Sequence, residues 1–127
     1  MYSDFVMDHF RNPRNGGRLP EFNARGIAGD PSSGPFMIIY LKLEGAVVRE
    51  ASFETFGCPA AIAAGSVLTE YVKGKAASSA RSVNARAVLD LLRGLPLGKE
   101  HCADIASTAL SEALKCDGSF AGEGRLP

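Results

Sequence analysis

The chain has 127 residues, 46% of them hydrophobic, and its 14 Lys and Arg balance 14 Asp and Glu for a formal net charge of zero. This length and composition fit one folded domain with a sizeable core and exclude a disordered chain. There is no Lys/Arg block to suggest nucleic acid or an anionic membrane surface, and no apolar run long enough to span a bilayer.

Ser3 can cap a helix expected over Asp4 to about Arg11, with Phe5, Val6, His9 and Phe10 on its apolar face; Asn12-Pro13 ends it. The opening ten residues carry two aspartates and no basic stretch, so they do not read as a signal peptide. Three cysteines without an export signal then point to a reduced, cytoplasmic compartment. From Asn12 to Gly34 the chain is rich in Gly, Pro, Asn and Arg and reads as loop, with one short strand near Asn23–Ala28. Phe36 to Leu43 is nearly all apolar and predicts a strand covered on both faces. Glu44-Gly45 supplies a tight turn. Ala46 to Phe56 predicts the second strand of a hairpin, with Val47, Arg49, Ala51, Phe53 and Thr55 alternating against Val48, Glu50, Ser52, Glu54 and Phe56.

That strand stops at Gly57, a thiol follows at Cys58, and Pro59 opens an alanine-rich helix running to Val72. Proline is favoured at the first helical position, where its missing N–H would have no partner anyway. Cys58 is therefore expected at or next to the N-cap, where free N–H groups and the helix dipole favour the thiolate. Ala60, Ala64, Val67 and Tyr71 form one stripe of this helix, widened by Ala61, Leu68 and Val72. Gly65 costs it roughly 1 kcal/mol relative to alanine and reads as kept for close packing. Lys73-Gly74-Lys75 closes the helix. One or two short helices are expected between Ala76 and Leu92, the second beginning near Asn84. Leu95-Pro96-Leu97-Gly98-Lys99 is a breaker loop. Glu100 to Lys115 then predicts a long helix with Cys102, Ile105, Ala106, Ala109, Leu110, Ala113 and Leu114 on one face. The sum is an α+β fold, a small antiparallel sheet with helices on one face, in a single domain over residues 1–116; the Gly-rich segment 117–127 reads as a mobile tail.

The residues with chemistry to offer are Cys58, His101 and Cys102. Two soft ligands and an imidazole suit zinc, iron or an iron–sulfur cluster. Each also has a plainer reading: Cys58 as a small buried hydrophobe, Cys102 as a core thiol, His101 as a surface or capping residue. Cys58 could alternatively serve as a nucleophile with His101 as its base, although no orienting partner or oxyanion device is visible. Cys116, about 21 Å beyond Cys102 along a continuous helix, reads as incidental. His9 reads as a hydrogen-bonded structural histidine, and Ser32-Ser33 as turn serines.

Three motifs together resemble the NifU/IscU-type iron–sulfur cluster assembly scaffolds. They are Asp8-His9-Phe10-Arg11-Asn12-Pro13-Arg14-Asn15-Gly16; Phe56-Gly57-Cys58-Pro59-Ala60-Ala61-Ile62-Ala63 with Thr69-Glu70-Tyr71-Val72-Lys73-Gly74-Lys75; and Leu95-Pro96 followed by Lys99-Glu100-His101-Cys102. The likeness extends from about Tyr2 to Leu114. It implies a three-stranded sheet with a site at one end that holds a nascent [2Fe–2S] cluster on three cysteines and a nearby aspartate or histidine. It further implies that sulfur comes from a cysteine desulfurase and iron from a donor, that the cluster passes to recipient apo-proteins, and that such a protein is a carrier and not an enzyme. The resemblance assigns the cluster ligands to Cys58, His101 and Cys102, sulfur acceptance to Cys102, and a place beside the site to Lys99.

One departure stands out. The family's first cysteine lies in a Gly-x-Pro-x-Cys-Gly-Asp loop, which here reads Gly29-Asp30-Pro31-Ser32-Ser33-Gly34-Pro35. Ser33 occupies the cysteine position and Pro35 the aspartate position. A hydroxyl is a poor ligand for soft metals, so two thiolates and an imidazole leave the site one ligand short. Ser33, Asp30, Glu100, Asp104, water or a second subunit of a homo-oligomer could complete it. Zinc tolerates such a set better than a cluster does, since three protein ligands plus water is a common zinc arrangement. The alternative reading is a degenerate paralogue that docks on a desulfurase or partner scaffold without holding a cluster. The loop Leu95–Lys99 also differs from the chaperone-recognition segment of some members.

Overall fold

The computed structural model describes residues 2–115, so Cys116 and the expected tail over 117–127 lie outside the described residues. Three strands, β1 (Ala24–Gly29), β2 (Phe36–Glu44) and β3 (Val47–Phe56), form one antiparallel sheet in the order β1-β2-β3. Five helices accompany it: α1 (Asp4–Arg11), α2 (Pro59–Val72), α3 (Ala77–Arg81), α4 (Ala85–Leu91) and α5 (His101–Leu114). This is the α+β arrangement expected, with α2 laid over β3 and α5 over β1 and β2. Among the described residues no helix is long and apolar enough to cross a membrane.

The core forms because alternate residues of each strand face the same helices. Ala24 and Ala28 of β1, Met37, Ile39, Leu41 and Leu43 of β2, and Val48, Ala51 and Phe53 of β3 are all buried. The expectation that both faces of β2 are covered needs correction. Only the helix side is fully covered; on the other, Ile38 is half-exposed, and Tyr40 is sheltered by Phe22, edge-on at 5.0 Å between ring centroids, and by the Arg18 guanidinium. The expected alternation in β3 is also interrupted. Lys42 pairs with Glu50 but Leu43 with Val48, which leaves Arg49 as an extra residue. This bulge puts Val48, and not Val47, on the buried side with Ala51 and Phe53.

Helix α2 is buried along almost its whole length because its small residues let it press onto the sheet. A Cβ on Gly65 would come within 2.4 Å of Phe53 Cδ2, so the glycine is required by close packing. Gly26 does the same for α5: a Cβ there would lie 2.2 Å from the Ala109 carbonyl oxygen and the Ala113 nitrogen. Tyr71, expected on the buried stripe, is instead 38% exposed, with the Lys75 ammonium 4.6 Å from its ring centroid. The buried side of the last turn is taken by Thr69 and Val72.

Ser3 caps α1 by accepting the Val6 N–H, and the helix turns Val6 and His9 into the core. His9 Nδ1 lies 2.7 Å from Ser66 Oγ, which also accepts the Arg14 N–H at 2.9 Å. The Ser66 hydroxyl hydrogen is best used by donating to Nδ1, which requires a neutral imidazole. The following backbone runs along the outer edge of β3: Gly17 N–H donates to the Phe53 carbonyl at 2.8 Å, and Phe53 N–H to the Asn15 carbonyl at 3.0 Å. The N-terminal segment thus ties α1, α2 and β3 together.

Candidate metal centre

Two helices begin at the same end of the sheet, and each brings a thiol. Strand β3 ends at Phe56; Cys58 is the N-cap of α2, with extended backbone (φ −83°, ψ 174°), and Pro59 is the first helical residue. The loop before α5 tightens through Lys99 N–H to the Pro96 carbonyl and Cys102 N–H to the Lys99 carbonyl, at 3.0 and 3.1 Å. That turn sets Cys102 in the first turn of α5 facing inward. Residues 44 apart in sequence therefore meet: Cys58 Sγ lies 3.7 Å from Cys102 Sγ. Cys102 is 2% exposed and packed against Ala60 and Ala61, whereas Cys58 is half-buried. His101 is exposed, with Nε2 3.8 Å from Cys102 Sγ. Both thiols line a pocket of about 190 Å³ walled by Phe36, Phe56 and Ile105, with Lys99 and His101 also lining it.

The two thiols are inequivalent. Burial pushes the Cys58 thiol up, but the Ala61 N–H, the Cys102 thiol, the Ala60 N–H and the Tyr2 phenol outweigh it and hold the group below its ordinary value. This is the effect expected at a helix N-terminus. Burial first, then the hydrogen bond to and charge of Cys58, push Cys102 up to about 12, with Lys99 pulling the other way. Cys58 is thus the first of the pair to ionise, and its charge opposes ionisation of its neighbour.

The sulfur separation suits a shared soft ion. Thiolates about 2.3 Å from a tetrahedral centre stand roughly 3.8 Å apart. The imidazole is near Cys102, yet among the described residues no three His, Cys, Asp or Glu side chains are placed to hold a metal ion as a set. The structure brings together the thiol pair, with His101 and Lys99 beside it, and leaves the other candidates apart. Asp30 accepts the Ser32 N–H and hydroxyl at 2.9 and 2.7 Å, forming the turn expected of these serines. Neither Asp30 nor Ser33 lines the pocket, although Pro35 does. Glu100 accepts the Gly98 N–H at 2.9 Å and lines a different groove with Arg86 and Arg93. Asp104 is exposed one turn into α5.

The sequence reading missed Tyr2 and Phe56 as site residues. Tyr2 packs against the cluster of Ala60, Ala61 and Cys102, and its phenol helps to hold the Cys58 thiol low. Nothing local marks it, because its position depends on how α1 docks on α2. Phe56 is 64% exposed at the pocket wall, and a large exposed apolar residue beside a thiol was the available signal.

The model of the NifU-like N terminal domain family matches residues 1–117. The chain is 44% identical over 114 residues to the iron–sulfur cluster assembly scaffold protein IscU 1 of Archaeoglobus fulgidus, covering 90% of this chain and 74% of that protein. It is 40% identical over 116 residues to the scaffold protein IscU of Aquifex aeolicus, with the same coverage. A crystal structure of a nitrogen-fixing NifU-like protein (N-terminal) from Brucella abortus superimposes with a TM-score of 0.64 at 22% identity, covering 97% of this chain and 95% of that one.

Proposed function

The chain belongs to the family of NifU-like N-terminal domains, and we propose that it works in iron–sulfur cluster assembly as a scaffold or carrier whose cargo is held by Cys58 and Cys102 with His101 as the third ligand. The observation that carries this reading is the thiol pair, 3.7 Å apart and lining one open pocket. Two thiolates at that spacing can share one soft ion, and the pocket leaves room for a second. In this reading a cysteine desulfurase supplies sulfur to Cys102, beside Lys99, an iron donor supplies the metal, and recipient apo-proteins take the product.

The cargo is a labile [2Fe–2S] cluster or iron, held more weakly than by a complete cysteine set. Zinc is the competing occupant: Ser33 and Asp30 are absent from the pocket lining, so the two sulfurs have only the His101 imidazole, turned in towards them, and an open position to complete the set. Metal titration of the anaerobic, metal-free chain tests the ligand set. Iron(II) and zinc(II) should each bind once per chain, and Cys58→Ser, Cys102→Ser and His101→Ala should each weaken binding by about 10-fold or more. Unchanged affinity in both cysteine variants would remove the proposal. A chain that binds no metal yet binds a desulfurase would instead be a docking module.

A further inference from the structure

The same two sulfurs have a second use that needs no metal. We infer that Cys58 is an oxidative modification site: it accepts a mixed disulfide from a low-molecular-weight disulfide and passes it to Cys102, closing an internal Cys58–Cys102 disulfide. The two positions differ in access. Cys58 is half-buried on an open pocket, between the exposed Gly57 and the start of α2. Cys102 is 2% exposed behind it. A small disulfide free in solution reaches Cys58 first, and reaches Cys102 through it.

The geometry then favours closure. At 3.7 Å the sulfurs are already in contact, and a bond of about 2.05 Å asks for roughly 1.7 Å of approach. Both cysteines sit where a loop enters a helix, and the neighbouring Ala60 and Ala61 side chains are small, so a modest adjustment can supply that movement.

The chemistry balances without a further reagent. The Cys58 thiolate attacks one sulfur of R–S–S–R, forming Cys58–S–S–R and releasing one thiolate. Cys102 attacks the Cys58 sulfur, its proton leaving with the second departing thiolate. Two protein thiols are oxidised to one disulfide, and one small disulfide is reduced to two thiols. The thiol chemistry stands whatever the cargo. Its consequence rests on the scaffold reading: the oxidised site has no thiolate left to hold a soft ion, and a bound ion shields both sulfurs.

The test uses the full metal-free chain incubated with glutathione disulfide, with adducts located by peptide mass mapping and folding checked by circular dichroism. The wild-type chain should yield one cross-linked Cys58–Cys102 peptide, with no glutathione left on either residue. Cys102→Ser should stop at Cys58 carrying glutathione, and Cys58→Ser should leave Cys102 a free thiol. A mixed disulfide persisting on Cys58 of the wild-type chain, modification of Cys102 in Cys58→Ser, or Cys116 in the cross-link would each overturn the inference. Saturating zinc(II) added first should abolish the reaction. Undiminished oxidation in its presence would upset the ligand set while upholding the modification site.

Discussion

Gly65 of α2 lies against the ring of Phe53 of β3 so closely that a single added carbon would come within 2.4 Å of Cδ2. This contact holds α2 down on the sheet and so fixes where its N-cap, Cys58, points. Gly65→Ala would gain about 1 kcal/mol in helix propensity. It should nevertheless destabilise the protein by about 1–3 kcal/mol, because the ring or the helix must shift. Gly26→Ala should cost more, since the obstacles at 2.2 Å are backbone atoms of α5 and cannot rotate away. Urea titration of both variants checks the order; a Gly65→Ala protein more stable than wild type would contradict the packing account.

His9 makes stability depend on pH. Burial first, then Arg14 and Arg93, lower its pKa below the usual histidine value, with Glu70 and Asp8 opposing. The folded state therefore binds the proton less readily than the unfolded one. Stability contributed by neutral His9 is present above about pH 6.5 and is lost as the pH falls towards the folded value, with a slope of at most about 1.4 kcal/mol per pH unit from this group. Denaturant midpoints between pH 7.5 and 5 should show the decline, and His9→Gln should flatten it. An unchanged slope in His9→Gln would place the effect elsewhere.

The thiols should separate in alkylation. In metal-free protein Cys58 should react with iodoacetamide faster than Cys102 near neutral pH, with a midpoint below the ordinary cysteine value; Cys102, pushed up to about 12 and buried, should react only on unfolding. Cys58→Ala should cost under about 2 kcal/mol, because it removes one small, half-buried side chain. A much larger loss in denaturant titration would make this thiol chiefly structural.

Most of this molecule is legible in its sequence because the local signals agree with one another. Pro59 after Gly57-Cys58 marks the start of α2, Asn84 caps α4 by accepting the Ala87 N–H, and Gly74 in the left-handed region follows the end of α2. The errors fall where a tertiary relation decides. The bulge at Arg49 follows from pairing with Lys42 and Leu43, which period-two counting cannot see. Tyr71 looks like part of an apolar stripe until Thr69 and Val72 take the buried side of that turn. At the site, Cys58 and Cys102 each announce a helix start, but only the folded sheet puts those starts at one end. Tyr2 is legible only once α1 is docked on α2.

The most direct test of the central claim is iron and sulfide analysis with a visible absorption spectrum, on protein purified without oxygen and reconstituted with iron, sulfide and a cysteine desulfurase. The account predicts a sulfur-to-iron charge-transfer band, with iron and sulfide in equal amounts, that disappears in Cys58→Ala and in Cys102→Ala. A colourless wild-type chain carrying neither iron nor zinc, or a band that survives both substitutions, would contradict it.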